Sequence, residues 1–169
     1  TKSVPGDKDM TPISDNSIDS EALELAREKL LKALLEEERR KKCCTIEPRR
    51  DLIEVTSIEG FRRAVSGCRL ALGFFYTPTC PYCRMMEPLV KAAAELLGDR
   101  MMFFKVNAAR LYEVAGAFYI MGTPTIIAFR RGREVDRLVG LVPVEVFEEF
   151  LTRLLESEGC PIPTVEQAM

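Results

Sequence analysis

The sequence predicts an α/β fold in which a mixed central sheet is flanked by helices, with one extra helix at the N-terminus. Between residues 51 and 157, short apolar runs alternate with segments whose apolar residues recur every three or four positions. This alternation is typical of strand–helix–strand units. The last two apolar runs, at 125–129 and 134–139, flank an Arg-Arg-Gly-Arg turn, which predicts an antiparallel hairpin followed by a closing helix.

The first 48 residues are predicted to precede the sheet. Residues 1–18 are polar and are interrupted by prolines and a glycine, which indicates a disordered lead-in. Residues 19–48 are predicted to form a charged amphipathic helix with Asp19 as its N-cap. Its apolar stripe consists of Leu23, Ala26, Leu30, Leu31, Leu34 and Leu35. Because such a stripe packs against an apolar surface, it predicts contact with the following domain, with a second copy in a homodimer, or with another protein.

Residues 49–157 are predicted to form one domain built on the sheet, and residues 158–169 an irregular tail. Apolar runs predict strands at 52–55, 70–76, 101–106, 125–129 and 134–139. Apolar residues at helical spacing predict helices at 58–65, 81–97, 108–117 and 144–155. The alternation of the two element types places helices on both faces of the sheet.

Two cysteines lie where the second strand leads into a helix. The Cys-Pro-Tyr-Cys motif at 80–83 begins the helix at 81–97, and Pro81 suits a first helical turn, where its missing N–H is not needed. The free backbone N–H groups and the helix dipole stabilise a thiolate there, and the thiolate is the nucleophile of disulfide exchange. Cys80 is therefore predicted to be the exposed nucleophile and Cys83 the resolving thiol, with a reversible disulfide between them.

Several other functions are disfavoured. A closed zinc site needs two ligands beyond one CxxC, and the chain has no histidine and no second CxxC, so no metal is expected. No cofactor is expected either. The net charge of −2 gives no signal for nucleic-acid binding. No apolar stretch approaches the roughly 20 residues that span a bilayer, so no membrane partner is expected.

Composition bears on the source and on the remaining cysteines. Only three residues are Asn or Gln, while 30% are charged, a pattern typical of thermophiles. Hyperthermophiles keep disulfides inside the cell, so further bridges are compatible with the cytoplasmic location that we expect. Adjacent cysteines bridge each other poorly. One of Cys43 and Cys44 is therefore predicted to pair with Cys160 or with a second chain, and the alternative is that they are free thiols.

Residues 52–155 resemble the thioredoxin family. Cys80 is followed 44 positions later by Pro124, in Met-Gly-Thr-Pro-Thr, where the family has its cis-proline. The other positions that agree in gapless register are Pro88, Lys105, Gly132 and Gly140. The CPYC tetrapeptide is typical of glutaredoxins, but their Gly-Gly-x-x-Asp element is replaced by Leu-Val-Gly-Leu-Val at 138–142. The chain is therefore identified as a thioredoxin-type domain with a glutaredoxin-type motif.

The resemblance implies a thiol–disulfide oxidoreductase that reduces protein disulfides. In such a protein the segment around the cis-proline holds the substrate backbone as an added strand. The implied substrate-binding residues are Pro81, Tyr82, Thr123 and Pro124. The implied partners are protein disulfide substrates and an upstream reductase. Two alternatives stay open, namely a disulfide oxidase or isomerase in a disulfide-rich cytosol, and a helix-mediated adaptor whose domain only binds.

The chain departs from the family pattern beneath the motif. Phe74 replaces the family's buried acid, six positions before the nucleophile, and Tyr76 replaces a tryptophan. Because a buried lysine needs a partner, Lys105 is predicted to pair with Glu87, which lies one helical turn after Cys83. This pair is predicted to assist proton transfer at Cys83. The alternative is that both side chains reach water independently.

Overall fold

The computed structural model describes residues 19–44 and 49–160. The predicted lead-in at 1–18, residues 45–48 of the predicted N-terminal helix, and residues 161–169 of the predicted tail lie outside the described residues. Across the described ranges, no helix is both long and apolar enough to cross a membrane.

One helix, α1, crosses the boundary between the two units into which the chain divides, Thr1–Glu37 and Glu38–Met169. It spans Ser20–Cys43, and the Leu23 N–H donates to the Asp19 carbonyl at 3.0 Å, so α1 begins where the sequence predicts. The leucines of its apolar stripe are 46–62% exposed. The predicted contact of this stripe with the following domain, with a second copy or with another protein stays a prediction.

Within the described residues, five strands form one mixed sheet. They are β1 Ile53–Val55, β2 Leu70–Tyr76, β3 Met102–Asn107, β4 Thr125–Arg130 and β5 Arg133–Val139. Their order is β1-β3-β2-β4-β5; β1, β3 and β2 are parallel, while β4 and β5 are antiparallel to their neighbours. The predicted mixed sheet is confirmed. Because β2 lies at its centre, all but the last residue of β2 are buried.

Four further helices in the described residues cover this sheet. They are α2 Ile58–Ser66, α3 Pro81–Leu97, α4 Tyr112–Ala117 and α5 Val144–Glu158. Side chains of β2 alternate between two cores, because successive strand residues point to opposite faces. Leu72 and Phe74 join the core with α3 and α5, whereas Ala71 and Phe75 join the core with α2 and α4. Helices therefore lie on both faces, as the sequence predicts.

Three helix boundaries differ from the sequence prediction by more than one residue. α4 begins at Tyr112 rather than four residues earlier, because a turn precedes it in which the Asn107 side chain accepts the Ala109 N–H at 3.0 Å. α5 continues past its predicted end to Glu158, because Gly159 adopts a left-handed φ of 66° and closes the helix. The first residue of the predicted tail is therefore helical. α1 ends at Cys43 rather than at residue 48, because Cys44 leaves the helix and forms an isolated β-bridge with Cys68. The other mismatched ends differ by one residue.

Two disulfides lie within the second unit, at the C-terminal end of α1. Cys43 is bonded to Cys160, and Cys44 is bonded to Cys68, so the adjacent cysteines take different partners. The Cys43 carbonyl also accepts the Arg69 N–H at 2.8 Å. The predicted pairing with Cys160 is confirmed within the chain. The alternative of free thiols is wrong, and the partnership of Cys44 with Cys68 is not foreseen from the sequence.

Candidate active site

The backbone places the motif cysteines at the N-terminus of α3. β2 ends at Tyr76, and one turn later Cys80 caps the helix in an extended conformation with φ −87° and ψ 112°. The Cys80 Sγ accepts the Cys83 N–H at 3.1 Å, and α3 begins at Pro81 as predicted. The sulfur therefore lies at the positive end of the helix, where a thiolate is stabilised.

Cys80 and Cys83 are joined in a disulfide, as the sequence predicts. Cys80 is 8% exposed and Cys83 is 3% exposed, so the expectation of an exposed nucleophile is wrong for this oxidised form. The Cys80 Sγ is covered because it is bonded to Cys83 and lies 3.4 Å from the Thr123 carbonyl oxygen. Cys80 is still the more accessible of the two, which suits the attacking role.

The segment before β4 lies against the motif. The Thr123–Pro124 peptide bond is cis, which confirms the assignment made from the family resemblance. The Pro124 carbonyl accepts the Gly140 N–H at 2.8 Å, and the Thr125 hydroxyl donates to the Gly122 carbonyl at 2.7 Å. These bonds fix the segment on both sides. The Thr123 backbone is thereby held beside the nucleophilic sulfur.

Large exposed side chains flank the motif. Tyr82 lies in the first turn of α3 and is 59% exposed, as suits a residue expected to bind substrate. Met85 is 62% exposed, although its helical spacing predicts a core position. Met121, two residues before Thr123, is 95% exposed. Neither methionine is among the site residues predicted from the sequence. The sequence feature that could have indicated them is their position, two residues from the motif for Met85 and two residues before Thr123 for Met121.

A charged group lies on the α3 side of the sheet. The Lys105 Nζ is 2.6 Å from the Glu87 Oε1, so the predicted contact is confirmed. The Lys105 Nζ is also 3.7 Å from the Glu54 Oε2 and 5.3 Å from the centre of the Tyr76 ring. The Tyr76 hydroxyl donates to the Glu54 Oε1 at 2.5 Å. Phe74, in place of the family acid, is fully buried.

These contacts shift two pKa values. Burial lowers the pKa of Lys105, but its hydrogen bond to Glu87 and the charges of Glu87 and Glu54 outweigh this effect, so the pKa is raised overall. The pKa of Tyr76 is raised well above its ordinary value, first by burial and then by its hydrogen bond to Glu54 and the charge of that residue. Both groups therefore keep their protons at neutral pH. Glu54 and Tyr76 are absent from the sequence-based site, because their contact depends on strand register.

The chain is similar in sequence to known proteins. The thioredoxin family model matches residues 52–153. Thioredoxin from Alicyclobacillus acidocaldarius is 35% identical over 96 residues, which cover 57% of this chain and 91% of that protein. Thioredoxin from Bacillus subtilis is 28% identical over 86 residues, which cover 51% of this chain and 83% of that protein.

Solved structures agree in fold. A point mutant of thioredoxin from Halobacterium salinarum matches with a TM-score of 0.59 at 25% identity, over 70% of this chain and 99% of that chain. Thioredoxin from Trypanosoma brucei brucei matches with a TM-score of 0.57 at 22% identity, over 66% of this chain and 96% of that chain. Since the family model also covers more than half of the sequence, the chain belongs to the thioredoxin family of thiol–disulfide oxidoreductases.

Proposed function

We propose that the protein reduces disulfides of other proteins through the Cys80–Cys83 dithiol. One observation carries this proposal: the Cys80 Sγ, at the start of α3, lies 3.4 Å from the carbonyl oxygen of Thr123 in the cis-proline segment. A substrate strand that pairs with this segment brings its own disulfide next to the nucleophile. Pro124 fixes the segment in its cis conformation, and Pro81 and Tyr82, in the first turn of α3 beside the nucleophile, complete the proposed substrate-binding residues.

The proposed reaction is a two-step exchange that moves two electrons. The Cys80 thiolate attacks one sulfur of the substrate disulfide, the substrate S–S bond breaks, and the departing sulfur takes up a proton. The Cys83 thiolate then attacks the Cys80 Sγ and releases the second substrate thiol. The substrate is reduced to two thiols while Cys80 and Cys83 are oxidised to their disulfide. An upstream dithiol reductase returns the pair to the reduced form.

The second step needs the proton of Cys83 to be removed. Glu87 lies four residues after Cys83 on α3, so the two side chains share one helix face. We propose that the Glu87 carboxylate, held by Lys105 at 2.6 Å, accepts this proton in place of the acid that Phe74 replaces. The pair thus supplies general-base assistance to the resolving thiol.

Insulin reduction with dithiothreitol as the electron source tests this proposal. Cys80→Ser is expected to abolish turnover, because it removes the nucleophile. Cys83→Ser is expected to stop after the first step and to accumulate a mixed disulfide through Cys80, seen on a non-reducing gel. The Cys44→Ser/Cys68→Ser double variant is the matched control and keeps turnover. Insulin reduction by Cys80→Ser at the wild-type rate would contradict the proposal.

A disulfide oxidase or isomerase is the second candidate. The bridges Cys43–Cys160 and Cys44–Cys68 support it, since such disulfides persist in oxidising compartments or inside hyperthermophiles. The cytoplasmic location and the thermophilic source stay predictions. An oxidase in its disulfide form would introduce disulfides into a reduced, unfolded protein, whereas the proposed reductase would leave that protein reduced. The disulfide-linked motif favours either enzyme over an adaptor that only binds.

A further inference from the structure

We infer that Glu54 and Tyr76 are positioning residues for proton transfer at Cys83, acting through the Glu87–Lys105 pair. The inference rests on the proposed function and names two residues outside the motif. Neither is assigned contact with the substrate. Their role is to ensure that the Lys105 ammonium donates its hydrogen bond to Glu87 rather than to Glu54.

Strand register brings Glu54, Lys105 and Tyr76 together, and Lys105 contacts Glu87 of α3. Glu54 of β1 is paired with Lys105 of β3, and Lys105 is paired with Phe74 of β2. Tyr76 follows two positions after Phe74 and therefore points to the same face of the sheet. The two rings stack at 6.1 Å, and Tyr76 packs against the apolar cluster that contains Cys83. The network thus lies on the side of the sheet that carries the resolving thiol.

The single lysine is shared unequally between the two carboxylates. Its Nζ is 2.6 Å from the Glu87 Oε1 but 3.7 Å from the Glu54 Oε2. The other oxygen of Glu54 accepts the Tyr76 hydroxyl at 2.5 Å, which holds this carboxylate away from the ammonium. Tyr76 therefore leaves the Lys105 hydrogen bond to Glu87, the carboxylate on the helix of Cys83.

The proton step explains why a second carboxylate is needed. When the Cys83 S–H bond breaks, the electron pair stays on sulfur and the proton forms an O–H bond on Glu87. Glu87 is then neutral, and Lys105 loses its nearest negative charge. Glu54, 3.7 Å away, remains as the counter-ion, so its charge stabilises the state in which Glu87 holds the proton.

The remaining charges around the network are consistent with this role. The raised pKa of Tyr76 keeps its hydroxyl available as a donor to Glu54 throughout the neutral range, and the positive charge of Arg110 opposes that rise only as the smallest contribution. The side chains of Lys105, Glu54 and Glu87 are 26–36% exposed. Water therefore screens their interactions, which keeps the expected effect of removing Glu54 well below that of removing a general base.

A two-phase release assay separates the two thiols. Protein whose motif has been reduced with limiting dithiothreitol is mixed with dithionitrobenzoate. The attack of Cys80 releases one thionitrobenzoate, and resolution by Cys83 releases the second. Glu54→Gln is expected to leave the first phase unchanged and to slow the second about tenfold at neutral pH, a fraction of the roughly 100- to 10,000-fold that a general base contributes. Tyr76→Phe is likewise expected to slow the second phase and to leave the first unchanged.

Alkaline pH supplies the decisive readout. The defect in Glu54→Gln is expected to shrink as the pH rises, because Cys83 then ionises without assistance, and a merely structural defect would not recover. Glu95→Gln, an equal charge change on the exposed part of α3, is the matched control and leaves both phases unchanged. A wild-type second phase in Glu54→Gln, or equal slowing of both phases, would overturn the inference. The proposed function would fail separately, if wild-type protein showed no Cys80-dependent insulin reduction.

Discussion

Removal of the Cys43–Cys160 disulfide is expected to destabilise the protein more than removal of Cys44–Cys68. The first bridge joins residues 117 apart in sequence and the second joins residues 24 apart. A disulfide stabilises mainly by restricting the unfolded chain, and the chain-entropy relation gives about 4.9 kcal/mol for the longer loop and about 3.5 kcal/mol for the shorter one. The expected difference is about 1.4 kcal/mol.

Urea unfolding of two double variants measures this difference. Cys43→Ser/Cys160→Ser and Cys44→Ser/Cys68→Ser each lack one bridge, and each is unfolded in its oxidised form and after full reduction. The free energy of unfolding is obtained by linear extrapolation. Subtracting the reduced from the oxidised value for the same variant cancels the cost of placing serine at a buried position. The wild type gives the reference for both bridges together.

The variant that lacks Cys43–Cys160 is expected to show the smaller gap between oxidised and reduced stability. Equal gaps in the two variants would refute the loop-length reasoning. A non-reducing peptide map that linked Cys43 to Cys68 would refute the connectivity itself.

Three further predictions concern pH, the N-terminal unit and assembly. Folding raises the pKa of Lys105 and Tyr76. Their contribution to stability is therefore complete below their pKa in the unfolded chain, about 10, and is lost as the pH rises through their pKa values in the folded protein. The urea midpoint should fall over this alkaline range, and less steeply in Tyr76→Phe. Deletion of residues 1–37 retains Cys43 and Cys44 and should leave insulin reduction unchanged. Loss of turnover in a folded truncation would contradict this. One of the alternatives that the sequence leaves open is that a second copy of the chain covers the leucine stripe. Sedimentation should then give a dimer, and Leu30→Glu/Leu34→Glu should convert it to a monomer. A monomeric wild type would exclude this dimer.

The elements nearest the motif are the ones that the sequence predicts best. The bounds of β2 and α3 agree with the prediction at both ends, because a wholly apolar run and a proline-capped helix are local signals. The start of α4 is missed because the Asn107 side chain forms a turn where helical spacing alone predicts a helix. The relevant bond is a side-chain contact, which residue spacing does not encode.

The parts that the sequence leaves open depend on contacts between distant segments. The Cys44–Cys68 bridge forms because the end of α1 lies beside the start of β2, and cysteine spacing does not encode that position. Glu54 joins Lys105 through the register of two parallel strands, which a three-residue strand does not specify on its own. The Glu87–Lys105 pair could be predicted from sequence because Lys105 matches a family position and Glu87 lies one helical turn after Cys83.

The reduction potential of the Cys80–Cys83 disulfide tests most directly the claim that this motif reduces protein disulfides. Equilibration with glutathione redox buffers, followed by alkylation of the free thiols and mass analysis of the motif peptide, gives the potential. A reductase is expected at or below about −230 mV, towards the value of about −270 mV for thioredoxin. A potential at or above about −180 mV, as for protein disulfide isomerase, would contradict the claim and favour the oxidase or isomerase.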